Sequence, residues 1–224
     1  MITATQKSKI LQVVNVFETG TKQGKYDMLV IYADGSNNSR QITYGRSQTT
    51  EQGNLKALLQ LYIFKKGKFA AQFQPFINDV GKKSLVDNVA FKNLLRQSAR
   101  LDVIMQNSQD EFFDKLYYQS AQHFFEKNLF KNALSMLVIY DSYIHSGSIP
   151  AFLRERFPEN IPLNGGDEKK WIKQYVDVRH NWLENHSRKI LQKTIYRTEC
   201  FKNQIASSNW DLSKVIVANG TSIS

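Results

Sequence analysis

Residues 129–144, LFKNALSMLVIYDSYI, are apolar nearly all round. Read at the helical period, this run has no solvent face, so it is expected to be a central helix buried on most sides. One acidic residue, Asp141, sits inside it. An unpaired buried carboxylate is costly, so Asp141 requires a cationic partner.

The remaining periodicity supplies helices to surround that one. Residues 3–18 carry Ile10, Val13, Val14 and Phe17 at spacings of three and four, with Thr3 or Thr5 as cap and Gly20 as stop. Helices are also expected over 49–64, over 69–76 with a stop near Pro75, and over 85–100, 109–127, 168–184 and 188–206. Between the first two, MLVIYA, ADGSNNS and RQITY read as strand, turn and strand, hence a hairpin whose loop is longer than a two-residue turn. Residues 145–166 hold three of the four prolines and read as loop. The tail reads as a short terminal hairpin or strand. No repeat, low-complexity segment or interdomain linker is apparent.

Composition sets the outer limits. The chain of 224 residues is 42% hydrophobic, enough for a packed core. No apolar run reaches the ~18 residues of a membrane span, and the N-terminus reads as a helix and not as a secretion signal. The single cysteine, Cys200, lies in a helical pattern and reads as a packed thiol. His123, His145, His180 and His186 show no metal spacing, and no phosphate loop or dinucleotide fingerprint is present, so no metal or cofactor is expected. The net charge of +10 suggests an anionic partner: nucleic acid, a membrane surface or an acidic wall polymer.

Two carboxylates stand out along residues 13–43. Glu18 ends the first helix, where the dipole places partial negative charge. That disfavours a further negative charge and suits a proton donor. Asp34 lies in a polar turn, which suits a carboxylate that stays ionised. A pair with opposed environments is the equipment of a glycoside hydrolase. Taken alone, a Glu near a helix end and a Asp-Gly turn are also ordinary structural features.

The wider string ILQVVNVFETG, YADG, RQITYGRSQTTEQGNLKALLQLYI resembles the start of the chitosanase family of glycoside hydrolases, within the lysozyme-like superfamily. Downstream, SQDEFFDKLYYQSAQHFFEKNLFKNALSMLVIYDSYIHSG resembles the family's central helices, and YVDVRHNWL, YRTECF and SSNWDL its C-terminal segment. The resemblance implies Glu18 as general acid, Asp34 as general base and Thr43 as the residue that positions the attacking water. It implies an ion network of Asp141, Arg179 and Arg197 behind the acid, with Asn54 at a substrate-recognising position; Arg40 and Tyr44 are further candidates for substrate contact. Inversion follows, with roughly 6.5–9.5 Å between carboxyl groups to admit a water. Tyr44, Tyr143, Trp171 and Trp210 could stack on sugars but read first as packing.

Two positions depart from the family's pattern. Asn54 stands where an acidic residue recognises the substrate's amino group, and an amide cannot pair with an ammonium as a carboxylate does. The catalytic loop, usually glycine-rich, is SNNSRQ here.

The expected fold is α+β and mainly α-helical: a two-lobed, lysozyme-like single domain over 1–224. A small hairpin lobe covers about 21–64; the first helix and 65–224 form the larger lobe, with a cleft between. The expected activity is inverting endo-hydrolysis of β-1,4 linkages in an aminosugar polymer, chitosan or peptidoglycan. The alternatives are a muramidase acting as a wall-degrading lysin or effector, and a non-catalytic wall-binding module. The expected partner is that polysaccharide, with no nucleic acid and no membrane insertion. A monomer, extracellular or wall-directed, is expected.

Overall fold

The computed structural model describes residues 1–46 and 48–224. They form two compact units. One contains Met1–Gln23 and Leu116–Ser224; the other is the continuous segment Gly24–Lys115.

The chain opens in the first unit with helix α1, Ala4–Thr19. Thr3 caps it: the Thr3 side chain accepts from Gln6 N at 3.2 Å, and the Gln6 side chain accepts from Thr3 N at 3.0 Å. This reciprocal box satisfies two end donors. The helix stops at Gly20, whose φ of 73° is left-handed.

The second unit starts with an antiparallel sheet of β1 (Leu29–Tyr32), β2 (Gln41–Tyr44) and β3 (Thr49–Thr50), in that order. Val30 faces Thr43 across the first pair, and Ile31 faces Ile42. Side chains alternate across a strand, so Ile42 and Tyr44 share one face and Gln41 and Thr43 the other. The first face enters a core with Leu55, Leu59, Phe73, Phe91 and Met105. These residues come from α2 (Leu55–Phe64), α3 (Ala70–Ile77), α4 (Val89–Leu101) and α5 (Val103–Phe113). Because those helices cover the hairpin's apolar face, its unit runs to Lys115, well past the lobe end read near residue 64.

The turn after α2 is fixed by a buried hydroxyl. Tyr62 donates to Asp102 Oδ2 at 2.6 Å and accepts from Phe69 N at 2.9 Å. Gly67 lies against that ring, where a Cβ would come within 2.0 Å of it, so no larger residue fits. Asp102 also caps α5, accepting from Ile104 N at 2.9 Å.

A π turn, Asp114–Tyr118, carries the chain back into the first unit. There follow α6 (Gln119–Lys127), α7 (Ala133–Ser146), the single turn α8 (Ala151–Arg154), α9 (Glu168–Glu184), the single turn α10 (Lys189–Gln192) and α11 (Tyr196–Ala206). A hairpin of β4 (Ile216–Ala218) and β5 (Thr221–Ile223) closes the chain. Within this unit α7 packs on α1, α6, α9 and α11, and residues 133–142 are all buried. Trp171 is fully buried against Phe130, Phe157 and Tyr175, so it is packing and not a sugar platform.

The architecture is α+β and mainly helical, as expected, with several boundaries moved. The helix read over 49–64 starts at Leu55, because Thr49 and Thr50 pair with β2. The helix read over 109–127 is two, split by the π turn. The central helix starts at Ala133, after Leu129 turns left-handed at φ 61°. Pro75 lies inside α3 and does not end it.

Candidate active site

The first unit holds a chain of buried charges. Glu18, one residue before the end of α1, is 14% exposed at its side chain. One of its carboxylate oxygens takes a bond from Arg197 Nη2. The same guanidinium, from α11, donates through Nη1 to Asp141 Oδ1 at 2.7 Å. Asp141 Oδ2 is paired with Arg179 Nη1, from α9, at 2.8 Å. Asp141, Arg179 and Arg197 are 0%, 1% and 4% exposed. The cationic partners that Asp141 requires are therefore present, one from each of two other helices.

Burial opposes ionisation of Asp141, but Arg197 and Arg179 outweigh it and hold its carboxyl below the ordinary range. Burial likewise opposes the charge on Arg197, yet Asp141 and Glu18 keep it firmly protonated. Arg197 is further confined by rings. Its guanidinium lies 5.3 Å from the Phe17 centroid and 5.8 Å from that of Tyr196. Tyr196 donates its hydroxyl proton to Phe17 O at 2.9 Å, pinning the residue before Glu18. The carboxyl is thus held in one orientation by a cation that is itself fixed.

His145, one turn beyond Asp141 on α7, adjoins this network. Burial, then repulsion from Arg179 and Arg197, lowers its pKa to about 3, with Asp141 opposing. It is a neutral imidazole among charges. Its Nδ1 has no protein hydrogen-bond partner among the described residues. Cys200 is buried with its thiol pushed up to about 12, by burial first and then by Asp141, so it is an inert packed thiol.

The second unit holds the other predicted residues. Asp34 is exposed in the turn between β1 and β2. Its Oδ1 accepts from Gln41 Nε2 at 2.9 Å. Gln41 in turn accepts from Gln52 N at 3.2 Å through its own carbonyl oxygen. The Gln52 side chain straps the turn, accepting from Ser36 N at 2.8 Å and donating to Ser39 Oγ at 2.8 Å. A short 3-10 turn, Ser36–Asn38, sits under this strap with Asn37 and Asn38 at φ 56° and 58°. Asparagine tolerates that left-handed region better than most residues, which is how SNNSRQ dispenses with glycines.

Thr43 shares the Gln41 face of β2 and is 4% exposed. Its hydroxyl has no protein hydrogen-bond partner among the described residues, so its capacity to bind a water is not consumed internally. Arg40 is 58% exposed and lies 3.5 Å from Asp87. Asn54 is exposed at the start of α2 and makes no side-chain cap bond. Tyr44 is different. It is 1% exposed and donates its hydroxyl proton to Leu95 O at 2.7 Å. Position 44 falls on the core face of β2, so Tyr44 is a core residue and not a substrate contact. Gln41 and Gln52 were not singled out from the sequence; the alternation of Gln41 with Ile42 on β2 gives its face but not its bond to Asp34, and Gln52 lies outside the strands.

Among the described residues no group of three His, Cys, Asp or Glu side chains is placed to hold a metal ion. No helix among them is long and apolar enough to cross a membrane.

Comparison with known proteins gives the chain a family. The chitosanase of Bacillus subtilis (strain 168) is 25% identical over 224 residues, covering 93% of this chain and 79% of that protein. The crystal structure of native chitosanase from Bacillus subtilis MY002 superposes with a TM-score of 0.83 at 24% identity, covering 100% of both chains. A family 46 chitosanase of Gynuella sunshinyii, solved in complex with chitotetraose, gives a TM-score of 0.83 at 20% identity, covering 100% of this chain and 98% of that one. The sequence profile of glycosyl hydrolase family 46 matches residues 12–216. The chain is a glycoside hydrolase and belongs to glycosyl hydrolase family 46.

Proposed function

We propose that the chain is an inverting endo-glycosidase that hydrolyses β-1,4 linkages of an aminosugar polymer, with chitosan as its substrate. The observation that carries this reading is the relay from Asp141 through Arg197 to Glu18. It is a costly buried arrangement whose one outward product is a carboxyl held in a fixed orientation. Glu18 acts as general acid and protonates the glycosidic oxygen as its bond to the anomeric carbon breaks. Asp34 acts as general base, taking a proton from the water that attacks that carbon from the opposite face, with Thr43 orienting the water. The configuration inverts because attack and departure occur on opposite faces. Arg40 and Asn54 contact the polymer, and the whole chain serves as one catalytic domain. The relatives, chitosanases in each case, support the substrate.

A second reading, peptidoglycan hydrolysis by a wall-directed lysin or effector, is favoured by two observations: the net charge of +10, which repels a polycation, and Asn54. Both readings place the enzyme outside the cell or at a wall.

The test is hydrolysis of a chitosan hexamer followed by proton NMR of the fresh reducing ends, with peptidoglycan sacculi in parallel. The wild type should release the α-anomer, and Glu18→Gln should lose at least a hundredfold in kcat. Full activity in Glu18→Gln would remove the assignment of the acid, and inactivity of the wild type on both polymers would leave a binding module.

A further inference from the structure

We infer that the groove flanking the Asp34 turn is a binding site for an oxyanion, a carboxylate or a phosphate, carried on the glycan. The inference rests on the reading of the hairpin as the edge that carries the catalytic base, and it adds a substrate class to that reading.

The groove has a volume of about 550 Å³ and lies wholly in the second unit. Its walls combine three cations, Arg40, Lys82 and Lys83, with three hydroxyls, Ser36, Ser39 and Ser84. Cationic nitrogens with hydroxyl donors between them are what an oxyanion needs, since it accepts several bonds at once. Ser36 and Ser39 belong to the strapped turn that begins at Asp34, so one wall is built by the catalytic loop itself.

Three details favour a ligand over a merely solvated surface. The Ser39 oxygen is already an acceptor for Gln52 Nε2, which leaves its own proton to be donated outward. Lys82 makes no ion pair among the described residues. Arg40 and Lys83 do, with Asp87 at 3.5 Å and Asp79 at 3.0 Å. Both pairs are exposed, and such pairs are weak enough to be exchanged for an incoming anion. The one carboxylate in the wall, Glu51, is 2% exposed and accepts Ile42 N at 3.2 Å and Leu85 N at 2.5 Å. Its oxygens are occupied from beneath, and its single charge leaves the cations in excess.

A glycan unit that bears an acidic substituent is held there, close in sequence and space to the base. This gives the net positive charge a local use.

The test is a titration of the full ¹⁵N-labelled chain with inorganic phosphate, and separately with lactate, at constant low ionic strength. We expect saturable amide shifts concentrated at Ser36, Ser39, Lys82, Lys83 and Ser84. Lys82→Ala/Lys83→Ala should weaken binding about tenfold, and raising the salt to about 0.5 M should abolish it. The stronger of the two probes tells which oxyanion the groove prefers. A second arm uses Glu18→Gln with a muramyl-containing glycan fragment, intact and with its carboxylate converted to the amide; only the intact fragment should give the shifts. Scattered shifts, or shifts equal in the double variant, would overturn the inference while chitosan hydrolysis by the wild type left the enzymatic reading standing. Groove binding in a wild type that cleaves neither polymer would do the reverse.

Discussion

Arg197 contacts two carboxylates at once, and one of them has no exposure to water. A cation in that position cannot rotate away without leaving Asp141 buried with one partner fewer, a loss on the order of 3–5 kcal/mol. The orientation of Glu18 therefore inherits the stability of the core. Asp34 has no such anchor. It is exposed, and the bond that aims it comes from Gln41, 5% exposed on β2. Gln41→Leu should consequently lower kcat about tenfold with KM changed less than twofold, since what it removes is aim and not substrate contact. Steady-state kinetics on a chitosan oligomer checks this. An equal rise in KM, or no effect, would show that Asp34 is oriented by something else. The two carboxylates also differ in how far the sequence discloses them. A buried acid in an all-apolar helix announces that it needs cations. A glutamine in a strand carries no comparable signal, because its partner lies across a loop and not at a fixed spacing.

Among the elements, α1 was the most legible. Its apolar spacing, Thr3 and Gly20 mark both ends, and the structure differs by one residue at each. Thr3→Ala removes the reciprocal bonds with Gln6 and should cost about 1 kcal/mol in urea unfolding with an unchanged m-value; a loss below the error of the measurement would mean that water replaces the cap. The hairpin was legible from its β-branched run and its turn residues, and the final hairpin from its position. Other features were not. β3 is two residues long and exists only through pairing with β2, which no local pattern encodes. The π turn at Asp114–Tyr118 escaped because the apolar periodicity of Phe112, Phe113, Leu116 and Tyr117 runs through it without interruption. Tyr44 was a candidate for substrate contact because an aromatic beside Thr43 suggests stacking, whereas strict alternation along β2 assigns it to the core, the packing role it also read as.

For the molecule as a whole, the buried network makes stability depend on pH in two stages. His145 has its pKa lowered to about 3 from an ordinary 6.5. As the pH falls through 6.5 the unfolded chain takes up a proton that the folded chain refuses until about pH 3. Stability therefore declines across that window, by at most about 1.4 kcal/mol per pH unit. Asp141 is also depressed. Its contribution is complete above the ordinary carboxylate range and is lost only as the pH falls below it. The first stage can be measured alone: urea unfolding at pH 6.5 and 5 should show a loss of up to about 2 kcal/mol that His145→Gln reduces, and an identical slope in the variant would assign the loss elsewhere.

The division of the chain into Met1–Gln23 with Leu116–Ser224 on one side and Gly24–Lys115 on the other also bears on biosynthesis. The ribosome delivers Glu18 early and Arg197 late, separated by the whole of the second unit. That unit is continuous and has its own core, so it can close while the rest is still being made. Helix α1 meanwhile waits, with the face that will meet α7, β4 and β5 exposed. Glu18 becomes a positioned group only when α11 has emerged, and Lys9 of α1 finds its acceptors later still, because its Nζ donates to Leu212 O at 2.9 Å and Lys214 O at 3.1 Å. An incomplete chain would carry the glutamate, the aspartate and a finished hairpin, and have no cation to fix the Glu18 carboxyl.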